Sequence, residues 1–199
     1  MRGLFGPEKR GLYYRIFHHG RTDKLYGSKG KLVENAEFVS LAAKEENPED
    51  YYYNDNFINQ DNASVFSGKK VFCLACNSNN KIAEYAIQNG ARTFLGFGDI
   101  PTSMDEFKDN GLENVSNDIV RFMKTELNYI VKRSLEYSIA NYHDFEQLKN
   151  ILHFLINQTI SEYLIARKCN KERYILTDYL YQLKKEIRVF GDTKIKLIQ

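Results

Sequence analysis

The sequence predicts an α/β protein, a mostly parallel sheet flanked by helices with a long helical C-terminal half. Three observations carry that expectation. Val71-Phe72-Cys73-Leu74-Ala75-Cys76 is an unbroken apolar run between Lys69-Lys70 and Asn77-Ser78-Asn79-Asn80, as in a strand buried on both faces of a parallel sheet. A short helical pattern and a second apolar strand follow directly. From about residue 119 the apolar side chains recur at three- and four-residue steps, the spacing of helices with one buried face. At 199 residues the chain suits one domain: a sheet-rich part over 1–104, a helical part over 105–187 and a final strand over 188–199.

Taken in order, Leu12-Tyr13-Tyr14-Arg15-Ile16-Phe17 is rich in aromatic and β-branched residues and stops at His18-His19-Gly20, which reads as a strand. Residues 35–44 suit a helix, with Phe38, Leu41 and Ala42 on one face. Residues 45–62 hold neither period and carry Glu45, Glu46, Glu49, Asp50 and Asp55, so a mobile flap is expected there. After the apolar run, the polar quartet 77–80 offers N-cap side chains to a helix over 81–89 with Ile82, Ala83, Ala86 and Ile87 inward, and Gly90 stands where a left-handed cap belongs. Arg92-Thr93-Phe94-Leu95-Gly96-Phe97 is the next strand, so residues 70–97 form one βαβ unit. Three apolar stripes follow: Ile119, Phe122, Met123, Leu127, Ile130, Leu135 and Ile139; Phe145 through Leu164; and Ile175, Tyr179, Leu180, Leu183 and Ile187. The chain then turns at Gly191-Asp192 into an alternating strand that ends it.

Charge and composition narrow the function. The 28 Lys+Arg nearly balance the 26 Asp+Glu, which gives no basis for nucleic-acid or membrane-surface binding. No run approaches the ~20 apolar residues of a membrane span, and the N-terminus lacks the unbroken apolar core of a secretory signal. Three cysteines, two of them inside one apolar run, fit a reducing cytoplasm better than a disulfide framework.

Ligands bind outside the carboxyl ends of strands in an open parallel sheet. Two of the expected strands end on a reactive side chain there, His19 and Cys76. An imidazole within reach of a thiol takes its proton and later returns it to a leaving amine. The backbone N–H groups of Gly20 and Cys76 are candidate donors to an oxyanion. The plainer readings are equally concrete: Cys76 as a small apolar core residue, and His18-His19-Gly20 as a solvated turn. Cys73 lies mid-strand and reads as core, and Cys73-Leu74-Ala75-Cys76 has no second pair with which to hold zinc. No metal or organic cofactor is expected.

The order of these blocks resembles a known family. Phe17-His18-His19-Gly20, the apolar strand ending Ala75-Cys76-Asn77-Ser78, then Asn89-Gly90-Ala91, Leu95-Gly96-Phe97 and a late Phe190-Gly191-Asp192 are similar to the caspase-like CHAT peptidases, in the clan of caspases, metacaspases, gingipains and separases. The resemblance implies an intracellular cysteine endopeptidase with His19 as base and Cys76 as nucleophile. Gly20 would help form the oxyanion site, and Asn77, Ser78 and Asp99 would border the substrate, a protein or peptide. Caspase-like sheets carry two strands and a helix before the His strand, where only eleven residues stand here. An upstream segment or a partner protein is therefore expected against the edge formed by residues 12–17. The alternative is a catalytically inactive caspase-like module that binds another protein.

Overall fold

The computed structural model describes residues 12–16, 20–30, 52–100, 107, 116–165 and 171–198. Within them the protein is mixed α/β. Strand β1 (Leu12–Ile16), β5 (Lys70–Leu74), β6 (Thr93–Gly96) and β7 (Arg188–Gly191) make a four-stranded sheet in the order β1-β5-β6-β7. The first three run parallel and β7 is antiparallel to β6. The neighbours expected from the apolar runs are the neighbours found. Strands β2 (Gly20–Arg21), β3 (Lys24–Gly30) and β4 (Tyr52–Ile58) form a second, antiparallel sheet of three.

The continuous apolar run of β5 has a direct physical cause, because both of its faces are covered. Phe72 and Leu74 face a core shared with Leu95, Phe97 and the long helices. Val71 and Cys73 face a second core with Phe94, Leu25, Ile58 and the buried side of α1 (Lys81–Gln88). Helix α1 joins β5 to β6 as the βαβ reading requires. It stops in the cap expected at Gly90, whose φ is +90°. The Gly90 N–H reaches the Ile87 carbonyl and the Ala91 N–H the Ala86 carbonyl, the paired bonds of a Schellman motif.

Three helices build the C-terminal half: α2 (Asn117–Ala140), α3 (Phe145–Ile165) and α4 (Lys171–Glu186). Helix α3 packs between the other two. It starts in a reciprocal cap, where the Gln147 N–H donates to the Asp144 carboxylate and the Asp144 N–H to the Gln147 side chain, which satisfies two first-turn donors. The predicted stripes are largely the buried faces, with Met123, Leu127, Ile130, Leu148, Leu152, Leu180 and Leu183 inside. Phe122 and Leu164 are exposed instead, at the margins of their stripes.

Three expectations need correction. Residues 52–58 of the supposed flap are strand β4, paired with β3 across a register shift at Leu25/Tyr26. That shift, together with the polar residues on both strands, hides the alternation in the sequence. Residues 45–51 lie outside the described residues, as does the expected helix over 35–44. The polar quartet does not cap α1 through Asn80, which makes no side-chain cap bond; Ser78 and Asn79 are buried against the sheet instead. The last strand precedes the Gly191-Asp192 turn rather than following it. Beyond that turn, buried Ile195 and Leu197 pack the tail onto the α2–α3 connection, with the Leu197 N–H on the His143 carbonyl.

Candidate functional site

Cys76 lies two residues past the carboxyl end of β5, in the turn that leads into α1. The next residue, Asn77, holds φ at 55°, a left-handed conformation that asparagine tolerates better than most residues. That conformation lets the chain double back along the end of β6. The Asn77 N–H donates to the Gly98 carbonyl at 2.8 Å and the Asn79 N–H to the Phe97 carbonyl at 3.0 Å. Ser78 sits between them, fully buried. Its hydroxyl donates to the Cys73 carbonyl at 2.8 Å and accepts the Phe97 N–H at 2.9 Å. Turn 77–79 is thus fastened to both β5 and β6 at the edge where a parallel sheet binds ligands.

The thiol itself is closed in. Cys76 is 7% exposed, and its Sγ donates to the Ile100 carbonyl at 3.1 Å. Attack on a substrate requires that this contact be exchanged for one with a base. Cys73 faces the opposite side of β5, where complete burial pushes its thiol up to about 12, against a smaller opposite effect from Ser78. It stays a protonated core residue, in keeping with its mid-strand position.

His19, with His18, lies outside the described residues. The strand ahead of it is described: β1 pairs in parallel with β5, and Ile16 is opposite Leu74. Sequence positions 19 and 76 therefore follow the same rung by three residues and by two. Gly20 starts the β2–β3 hairpin opposite Leu25. The Thr22 carbonyl of that hairpin accepts the Ile82 N–H at 3.0 Å, which ties it to the first turn of α1, four residues on from Ser78.

Of the residues expected to border a substrate, Ser78 is spent on the strand-end clamp and is not open to solvent. Asn77 and Asp99 are half-buried. The Asp99 N–H donates to Glu186 Oε2 at 3.1 Å, and Asn79 Nδ2 donates to the Glu186 carbonyl at 2.6 Å. Sequence reasoning did not find Glu186 or Ile100. Nothing in local spacing joins residue 186 to residues 79 and 99, which only the packing of α4 brings together. Among the described residues no group of three or more His, Cys, Asp and Glu is arranged to hold a metal ion, and no helix is long and apolar enough to cross a membrane.

Comparison of the chain with family models, curated proteins and solved structures gives no significant match.

Proposed function

We propose that the chain is a caspase-like cysteine endopeptidase of the cytoplasm that works through a His19–Cys76 dyad. The observation that carries this reading is the parallel register of β1 and β5, in which Ile16, three positions before His19 in the sequence, stands opposite Leu74, two positions before Cys76. In the reaction His19 takes the S–H proton as the Cys76 sulfur bonds to the scissile carbonyl carbon. The tetrahedral oxyanion is held by the N–H groups of Gly20 and Cys76. Collapse expels the amine, which leaves with the proton from His19, and water then hydrolyses the thioester. Asn77 and Asp99 border the peptide, and no cofactor takes part.

The test is labelling with a peptidyl acyloxymethyl ketone, with the modified residue located by mass spectrometry, beside turnover of a mixed peptide library. Label on Cys76, and loss of essentially all turnover in Cys76→Ala and His19→Ala but not in Cys73→Ala, is the expected result. Turnover that survives Cys76→Ala would end the proposal.

One observation favours a second reading, a caspase-like interaction module without catalysis: the Cys76 thiol is buried and its proton engaged by Ile100. That module would bind a partner along β1, whose other edge is unpaired among the described residues, by strand addition. An absence of both label and turnover in folded protein, with a partner protecting the β1 amides from exchange, would select it.

A further inference from the structure

Three contacts converge on Glu186, the half-buried last residue of α4. Its carboxylate accepts the Asp99 N–H. Its main-chain carbonyl accepts from Asn79 Nδ2. Gly98 lies so close to its side chain that a Cβ at position 98 would overlap the carboxylate. Turn 77–79 follows Cys76 directly, and segment 98–100 ends in the carbonyl that takes the Cys76 proton. One residue thus ties together both segments that close on the thiol.

The closed arrangement is also incompletely satisfied. Asn79 is buried, its Nδ2 is spent on Glu186, and its Oδ1 has no hydrogen-bond partner among the described residues. A buried amide oxygen left unpaired is costly, so release of this junction regains solvation for Asn79 while it frees the thiol. Such locally weak points are where proteins open short of global unfolding.

We infer that Glu186 is a latch: it holds segment 98–100 against turn 77–79, keeps Cys76 closed under Ile100, and sets the fraction of molecules in which the thiol is open to electrophiles. Its meaning for catalysis rests on Cys76 being the nucleophile, whereas the latch itself is read by thiol chemistry alone. Glu186 is a positioning residue in this scheme and takes no part in bond making.

The experiment measures iodoacetamide alkylation of the full chain, resolved by mass spectrometry into separate rates at Cys73 and Cys76. Glu186→Ala removes the acceptor, and Gly98→Ala pushes it aside from the opposite direction. Both should alkylate Cys76 about tenfold faster than the parent, while Glu186→Gln, which keeps an acceptor oxygen, stays within about threefold of it. Cys73 should be equally slow in all of them. Unchanged Cys76 rates in folded Glu186→Ala and Gly98→Ala would overturn the latch. Cys73 and Cys76 accelerating together would overturn it as well, since that reports general loosening. If Glu186→Ala does not fold, Gly98→Ala decides by the same criterion. Peptide turnover measured in parallel separates the two claims: faster alkylation without turnover keeps the latch and sinks the peptidase, and turnover with unchanged alkylation does the reverse.

Discussion

Around the sheet, buried polar side chains are tied to backbone from distant parts of the chain. Ser78 links β5 to β6, Thr93 Oγ1 donates to the Phe190 carbonyl, and the buried Lys70 donates through Nζ to the carbonyls of Lys196 and Leu197. In the helical half the buried polar atoms of Ser134, Ser138, His143 and His153 have no hydrogen-bond partner among the described residues. Apart from the unpaired Oδ1 of Asn79, the sheet half spends these buried polar side chains on fixing loops, as a site that needs fixed geometry would. The helical half uses its serines as small residues: Ser134 and Ser138, one helical turn apart and fully buried, leave room on the inner face of α2. Both halves nevertheless share one core, in which Phe72, Leu95 and Phe97 touch the same cluster as Leu148, Leu152 and Leu180.

That shared core sets the largest expected effect. Leu152 is fully buried in the middle of α3, and Leu152→Ala should cost about 2–5 kcal/mol through lost burial and the cavity left behind. Because the cluster spans both halves, urea unfolding followed by far-UV circular dichroism and by aromatic fluorescence should show one coincident transition. Two separate transitions, with the sheet signal unmoved by Leu152→Ala, would mean that the halves are independent and that the helices do not support the Cys76 edge.

The next effect turns on the contrast between serines. Ser78→Ala removes the hydroxyl that holds the Cys73 carbonyl and the Phe97 N–H, and leaves both buried. A loss of about 1–3 kcal/mol is expected. Ser138→Ala removes a hydroxyl with no partner among the described residues and adds helix propensity, so stability should hold or rise slightly. Denaturation midpoints of the two variants side by side check the pair. Equal losses would show that the serine in α2 also holds something in place, and the contrast between the halves would fail.

The sequence made these two regions legible to different degrees. Residues 71–75 announce themselves because burial on both faces forces an apolar run, and Leu148, Leu152 and Leu155 because one face of a helix repeats every turn. Strand β4 stays hidden: Tyr52-Tyr53-Asn54-Asp55-Asn56-Phe57-Ile58 mixes polar and aromatic residues, and its register with β3 shifts partway along. In the candidate site, Cys76 can be found from its place at the end of an apolar strand. The clamp by Ser78 and the junction at Glu186 cannot, since each depends on distances between segments far apart in the chain. Lys70 misleads for the same reason, reading as a polar strand boundary although the tail covers it.

The smallest expected effect is the response to acid, and it separates the halves by titration. His153 lies half-buried within α3, with Nε2 buried and without a partner among the described residues. Burial foremost, then Lys149 and Lys184, lowers its pKa below the ordinary 6.5, against smaller opposite effects from a hydrogen bond with the Lys184 backbone and from Glu146. The unfolded chain therefore binds a proton at His153 before the folded protein does. Stability supported by the neutral imidazole is complete above about 6.5 and declines as pH falls from there toward the folded value. Lys70 in the sheet half, whose pKa is lowered by burial and then by Arg92, follows the same sign at alkaline pH: stability rises as pH climbs through the window just below 10.5. Replacing His153 with Gln should flatten the slope of stability against pH as pH falls below about 6.5, while the loss from carboxylate protonation at lower pH remains common to both proteins. Urea midpoints of the parent and His153→Gln at half-unit intervals measure it. Parallel curves in that range would show that the imidazole reaches water in the folded protein, and the helical half would then hold its histidine no more tightly than an exposed one.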